Sequence, residues 1–435
     1  MATALYYGRD VLLQQAIIQR PLGDNPPRAR LIYGIDVLAG LRMLGPSSVH
    51  MVCTSPPYWG LRDYGTGDGQ IGLEQTPEEY IQALVNVFRE IKRVLRPDGV
   101  AWLNLGDTYI KENSLGLKPK DLAGIPWRVA LALQEDGWYL RSAAPWIKRN
   151  ILPESVSDRP TSALEYIFLL SHPDGRGRYY YDIEAVRIPH KFNRWSANKD
   201  EDASALEGAY GGEAGSSSLL RKGKDLDFHP HGGRNRRNTD WFFDSISEIV
   251  EGGQNMALGD EGEPLAFVIN PRSYTGAHFA VWAPTLVAPM VKATTSEYGV
   301  CAACGAPWER QSEASGEYQK CQNGPGTAKC HVEAKGKHGS SSALTTGMVP
   351  LRNTVGWCPS CDCGAEGAAR PVVLDPFSGS GTTGMVALQM GRNYIGTDLN
   401  EGYLDMAQRR ILGVAPPKEG EDTKGGVLDM FGDEE

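Results

Sequence analysis

Three groups of residues in this 435-residue chain have types and spacings that could do chemistry. The first is Thr54-Ser55-Pro56-Pro57-Tyr58-Trp59. A hydroxyl, backbone carbonyls on prolines that have no N–H, and an aromatic face suit the gripping of a flat, amino-bearing ring. The second is Asp375-Pro376-Phe377-Ser378-Gly379-Ser380-Gly381-Thr382-Thr383-Gly384, a glycine loop of the kind that cradles a nucleotide cofactor. It lacks the lysine of a phosphate-binding loop, which argues against nucleotide hydrolysis. Asp398 follows 17 residues after Gly381, where a carboxylate can bond ribose hydroxyls; spacing does not separate NAD from another adenosine cofactor. The third group is thiols. Cys301-Ala-Ala-Cys304 and Cys358-Pro-Ser-Cys361-Asp-Cys363 are knuckles suited to a closed, structural zinc site. Five thiols compete for four places, with either Cys358/Cys361 or Cys361/Cys363 completing the set. Cys321, Cys330 and His331 could form a second site but lack knuckle spacing.

Each group needs an element to hold it. Val49-His50-Met51-Val52-Cys53 predicts a buried strand, which the paired prolines must end. A near-continuous apolar run ending at Asp375 predicts a second buried strand, with a helix over 385–390 behind the glycine loop. Residues 393–398 predict the next strand, and Asn400 caps a final helix to about residue 412. Upstream, 31–36 reads as a strand ending in Asp36, followed by a helix over 37–44. Thr76-Pro77-Glu78-Glu79 is a capping box opening a helix whose apolar face is Tyr80, Leu84, Phe88, Ile91 and Leu95. Pro97-Asp98-Gly99 stops it, and 100–105 is a strand. A helix over 122–134 and a strand pair around 138–147 and 164–170 continue the alternation. Such alternation favours an α/β fold with a mostly parallel sheet covered on both faces.

The net charge of −9 does not advertise a nucleic-acid binder, although local patches matter more than the total. Residues 190–260 are polar and rich in Gly, Ser and Asn, and carry basic residues from Arg221 to Arg237. They read either as a solvated insertion or as a segment that grips phosphates and reads bases. Seven of the eight cysteines fall between 301 and 363, and no secretion leader opens the chain, so metal is expected rather than disulfides. Cys53 reads as core. No apolar run approaches the ~18 residues of a membrane span, and the expectation is a cytoplasmic chain.

The motifs at 54–59 and 375–383 resemble the catalytic and S-adenosylmethionine-binding motifs of amino-group DNA methyltransferases. They stand in the permuted order of the β group, catalytic half first. His278-Phe279-Ala280 resembles the accessory cofactor motif that precedes the glycine loop there. Asn150 to Pro153 and Asp158-Arg159-Pro160-Thr161-Ser162-Ala163-Leu164-Glu165 also resemble this family. The resemblance covers 31–185 and 265–412, and implies a Rossmann-like S-adenosylmethionine-dependent sheet. It further implies that Asp36 holds the cofactor adenine, that Asp398 holds the ribose with Asn400 beside it, and that 375–383 holds the methionine end. Double-stranded DNA is the implied partner, with a restriction enzyme as a companion. Domain boundaries follow: an arm at 1–30, a catalytic half at 31–185, a target-recognition insertion at 186–264, the accessory motif at 265–298, a zinc-ribbon-like insertion at 299–368, the cofactor half at 369–412 and an acidic tail at 413–435. Within the tail, Val427 to Phe431 faintly resembles a sliding-clamp peptide; an inert tail is the expectation.

The chemistry agrees with these roles. An exocyclic amine conjugated to a base ring is a poor nucleophile. If Ser55 and the Pro56 carbonyl accept its hydrogens, the nitrogen can pyramidalise, while Pro57 stiffens the loop and Tyr58 stacks on a base taken out of the duplex. Methylation at cytosine C5 needs a thiolate, usually after a proline, and the chain has no Pro-Cys dipeptide. Serine at the head of the motif leans towards cytosine N4; adenine N6, an RNA or protein-amide substrate, and a non-catalytic zinc-bearing DNA-binding module are the alternatives.

Overall fold

The computed structural model describes residues 14–19, 26–61, 63–66, 69–110, 117–148, 156, 158–186, 283–320, 348–365 and 367–413. The basic insertion from 187 onward, Asn150 to Pro153, His278, Phe279, Cys321, Cys330, His331 and the tail from 414 lie outside them.

Among the described residues an eight-stranded sheet organises the main unit, in the order β1-β2-β12-β11-β3-β4-β6-β5. Its centre is five parallel strands: β2 (Arg28–Tyr33), β12 (Asn393–Asp398), β11 (Val372–Asp375), β3 (Val49–Thr54) and β4 (Leu95–Leu105). The strand pair β5 (Tyr139–Ile147) and β6 (Leu164–Ser171) adds antiparallel to β4. At the other edge lies β1 (Gln14–Gln19), antiparallel to β2. Part of the segment expected as an arm over 1–30 extends the sheet, and β2 itself begins at Arg28.

Strand alternation sends side chains to two helical layers. On one face α1 (Val37–Arg42), α2 (Pro77–Val94) and α3 (Ile125–Glu135) cover Val52, Ala101, Leu103, Leu105 and Leu374. The predicted apolar face of α2 is fully buried there, Tyr80, Leu84, Phe88 and Ile91 included. Leu95 is buried too, but as the first residue of β4, which runs through Pro97 and Gly99. The other face is covered by α4 (Pro284–Thr294), α5 (Thr382–Gln389) and α6 (Leu404–Leu412). There Cys53 lies 3.7 Å from the Met290 sulfur, and Trp102 donates its indole N–H to Thr294 Oγ1 at 3.2 Å. Cys53 is therefore core, as expected.

From β11 the chain crosses to β12 on one side, and from β3 to β4 on the other. The order of the parallel strands thus reverses between β11 and β3. In open α/β sheets ligands bind outside the strand C-termini at such a point.

The cysteine-bearing insertion divides between two units. Cys301, Cys304, Cys361 and Cys363, with the short strands β7 (Val300–Cys301) and β10 (Ala368–Ala369), which pair antiparallel, belong to the main unit. A long antiparallel hairpin, β8 (Trp308–Lys320) with β9 (Met348–Pro359), belongs to a second unit that also includes Asp182. Within that unit Arg310 pairs with Asp182 at 2.9 Å and lies over the Trp357 ring.

The capping box at the start of α2 forms as expected: Thr76 Oγ1 accepts from Glu79 N, and Glu79 Oε2 accepts from Thr76 N, both at 3.2 Å. Thr76→Ala should cost about 1 kcal/mol, read as a lower urea midpoint at unchanged slope. An unchanged midpoint would show that tertiary packing alone sets this helix start.

Candidate active site

The two predicted loops leave adjacent strands at the same end. Val373 and Leu374 of β11 pair with Met51 and Val52 of β3, so Asp375 and Thr54 end side by side. Thr54 Oγ1 donates to Asp375 Oδ1 at 2.7 Å, and Thr383 Oγ1, from the start of α5, donates to Asp375 Oδ2 at 2.8 Å. Phe377 N adds a third donor at 3.2 Å. Asp375 is 3% exposed, and burial pushes its carboxyl up to about 6 against the three donors that lower it.

The glycine loop is pinned from beneath. Tyr33 Oη donates to Ser378 Oγ at 2.8 Å and lies 2.9 Å from the Gly379 carbonyl, while Tyr394 Oη lies 2.8 Å from Ser378 Oγ. Gly379 and Gly381 both take left-handed φ values, 50° and 76°, which turn the chain into α5. Asp398 accepts from Gly379 N at 2.7 Å and from Asn400 N at 2.9 Å; burial raises it to about 6. Asn400 accepts from Gly402 N and caps a short 3-10 turn, with α6 starting only at Leu404.

The loop after β3 is held as firmly. Tyr80 Oη donates to the Pro57 carbonyl at 2.8 Å and Trp59 Nε1 to the Glu74 carbonyl at 2.9 Å. Among the described residues nothing donates to the Pro56 carbonyl. Among the described residues Ser55 Oγ has only long contacts, 3.4 Å to Tyr58 Oη and 3.5 Å to Asn104 Nδ2, so the hydroxyl remains available to a ligand. Burial, then the Glu165 carboxylate beside it, pushes the Tyr58 phenol well above its usual range and keeps it a donor.

Both loops open into one cleft of about 440 Å³. It is lined by Ser55, Pro56, Pro57, Tyr58, Asp375, Pro376, Phe377, Ser378, Gly379, Ser380, Thr382, Thr383, Asp398 and Asn400. The structure thus brings together fourteen of the residues singled out in the sequence. Gly381 is the N-cap of α5 rather than lining. Asp36 Oδ1 caps α1, accepting from Leu38 N at 2.9 Å and Ala39 N at 3.1 Å, and its neighbour Val37 lines the cleft.

Sequence reasoning missed Tyr33, Tyr394, Asn104 and Lys148. The tyrosines carried no signal beyond strand propensity. Lys148 and Glu165 meet only because β5 and β6 pair antiparallel, and both line the cleft.

Four thiols gather elsewhere in the main unit. The sulfurs of Cys301, Cys304, Cys361 and Cys363 all lie within 4.8 Å of one another. Backbone amides of Cys304 and Ala303 lower the Cys301 thiol to about 7, whereas hydrogen bonds from neighbouring thiols, first Cys304, push Cys363 up to about 12. Cys358 sits in the hairpin of the other unit, where its sulfur accepts from Gln311 Nε2 at 2.8 Å. The knuckle turn is tied to the sheet: His50 Nε2 donates to the Gly305 carbonyl at 3.1 Å, and its Nδ1 accepts from Val372 N at 3.0 Å. Arg96 Nη1 reaches the Cys304 carbonyl at 2.5 Å.

Asp375 and Asp398 generate a pH prediction. With folded values raised to about 6, the native state holds more protons than the unfolded chain between roughly pH 4 and 6. Their contribution to stability is therefore complete below pH 4 and lost as pH rises through 6. Asp375→Asn keeps the acceptor for Thr54 and lets Thr383 reorient, so it should flatten this slope in denaturation curves taken from pH 4 to 7. A slope identical to that of the unsubstituted protein would place the titration elsewhere.

The family N6_N4_Mtase, described as DNA methylase, matches residues 49–302 and 369–409. Type II methyltransferase M.Cfr9I of Citrobacter freundii is 32% identical, over 89% of this chain and 87% of that one. M.SmaI of Serratia marcescens is 32% identical over 90% and 93%, and M.SfiI of Streptomyces fimbriatus 33% identical over 86% and 89%. Among solved structures, the PvuII DNA methyltransferase (cytosine-N4-specific) aligns with a TM-score of 0.46 at 15% identity, over 88% of this chain and 86% of that one. The M1.HpyAVI–SAM complex aligns with a TM-score of 0.38 at 12% identity, over 88% and 99%. A match over both strand-end loops and relatives spanning nearly the whole chain agree on one assignment: the chain belongs to the N6/N4 family of DNA methylases.

Proposed function

We propose that this enzyme is a site-specific methyltransferase of the type II class that transfers a methyl group from S-adenosylmethionine to cytosine N4 in double-stranded DNA. The observation that carries the reading is the shared cleft: an uncommitted hydroxyl and carbonyl at the end of β3 face a pinned glycine loop at the end of β11. Bound S-adenosylmethionine would supply an electrophilic methyl group on a sulfonium. Residues 375–383, with Asp398 and Asn400, would hold it, and the cleft is of a size that takes such a ligand. Ser55 Oγ and the Pro56 carbonyl would accept the two amine hydrogens and turn the nitrogen lone pair towards the glycine-loop side. The half-buried Tyr58 ring would carry the flipped base. Positioning of this kind supplies much of the rate when the cofactor brings its own reactivity.

Ser55 at the head of the motif favours cytosine N4. Adenine N6 is the second reading, since both bases present the same kind of amine. A restriction enzyme acting on the same site and a DNA-reading role for the basic insertion belong to this reading, as do His278 and Phe279 as accessory cofactor residues.

We further propose that Cys301, Cys304, Cys361 and Cys363 hold one structural zinc. A four-thiolate zinc has sulfur–sulfur edges of about 3.8 Å, close to the spread of this group. Hydrogen bonding among neighbouring thiols raises Cys363, and metal binding would release its proton. Through His50 the knuckle would brace β3 and β11 at the ends opposite the cleft.

Purified protein given plasmid DNA and methyl-labelled S-adenosylmethionine should place label on N4-methylcytosine in a nucleoside digest. Label on N6-methyladenine would keep the mechanism and overturn the serine argument; no label on DNA would sink the reading. Ser55→Ala should lower turnover by at least about 100-fold, by analogy with loss of one transition-state hydrogen bond, with cofactor affinity nearly intact. For the metal, Cys361→Ser should remove about one zinc per chain and lower the melting temperature. Zinc-free protein of unchanged melting temperature would contradict the brace.

A further inference from the structure

One connected side-chain group at the cleft surrounds a residue with no role in the reading above. Glu165, on β6, is 8% exposed, a costly place for a carboxylate unless it is fully engaged. Its Oε2 accepts from Tyr58 Oη at 2.6 Å and from Asn104 Nδ2 at 2.8 Å, and its Oε1 pairs with Lys148 Nζ. Asn104 Nδ2 also reaches Tyr58 Oη at 2.7 Å. The Tyr58 ring is confined on its edge as well. A Cβ built on Gly106 would meet Tyr58 Cε2 at 2.6 Å and Cδ2 at 2.8 Å, so only glycine leaves room for the ring. The hydroxyl is thus anchored at one end and the ring edge is seated on backbone, while Tyr58 still lines the cleft.

We propose that Glu165 is a positioning residue for methyl transfer: it fixes the Tyr58 ring through its hydroxyl, with Lys148 and Asn104 orienting the carboxylate and Gly106 seating the ring. The inference rests on the reading that Tyr58 stacks on the target base. A loop tyrosine without this clamp would lose rotamer freedom each time a base stacked on it; here that cost is met on folding. Lys148 balances the charge, so the clamp adds no net charge beside a cationic methyl donor. The plain alternative is that Glu165 and Lys148 only tie β6 to β5.

The two are separated by a double-mutant cycle on the full-length protein with plasmid DNA. Glu165→Gln and Tyr58→Phe should each lower kcat by roughly ten- to a hundred-fold, with the KM for S-adenosylmethionine unchanged. The double variant should be no worse than either single one, because both break the same clamp. Gly106→Ala leaves Glu165 in place but displaces the ring, and should lower kcat in the same way; it also serves if Glu165→Gln does not fold. Full activity in Tyr58→Phe, additive losses in the double variant, or an active Gly106→Ala would each overturn the clamp. Inactivity of the unsubstituted protein on DNA would instead count against the underlying reading.

Discussion

A single buried hydrogen bond, from Thr54 Oγ1 to Asp375 Oδ1, joins the ends of two strands that lie 321 residues apart in sequence. A bond to a carboxylate is worth about 1.5–3 kcal/mol. Its larger consequence is geometric. It fixes where the serine-proline loop leaves β3 relative to where the glycine loop leaves β11, and those two departures define the cleft. Thr383 closes the same carboxylate from the helix side, so strand, loop and helix share one anchor. Desolvation of Asp375 is the cost, visible in its raised pKa.

The sheet explains why two short motifs so far apart can form one site. Parallel strands put all C-termini on one edge, and the reversal between β11 and β3 leaves a crevice there. The opposite edge carries the thiol knuckle, held to the sheet by His50 and Arg96. The two ends have separate tasks: one keeps atoms uncommitted for a ligand, while the other ties strands together.

Much of this was legible in the sequence because its signals are local. Two prolines must end β3, a capping box must open α2, and glycines before an apolar helix must make a tight turn. All three appear where expected. What depended on tertiary pairing was not legible. Asp36 reads as a strand-terminal residue, and its helix-capping bonds were not legible, because β2 ends three residues earlier at Tyr33. Gln14–Gln19 is too short and polar to stand out as an edge strand. Lys148 and Glu165 become neighbours only through antiparallel register. The cysteine insertion reads as one segment, yet the second knuckle is divided: Cys361 and Cys363 belong to the main unit with Cys301 and Cys304, and Cys358 belongs to the hairpin of the other unit.

The proposed chemistry requires an amine gripped at the end of β3 within reach of a donor held at the end of β11. The most direct measurement is a crystal structure of the protein with S-adenosylhomocysteine and a duplex carrying its recognition site. The expected result is a base rotated out of the helix, its exocyclic nitrogen within about 3.2 Å of both Ser55 Oγ and the Pro56 carbonyl, and its ring on Tyr58. A flipped base whose amine is held by other residues, or a cofactor bound away from the loop at 375–383, would contradict it.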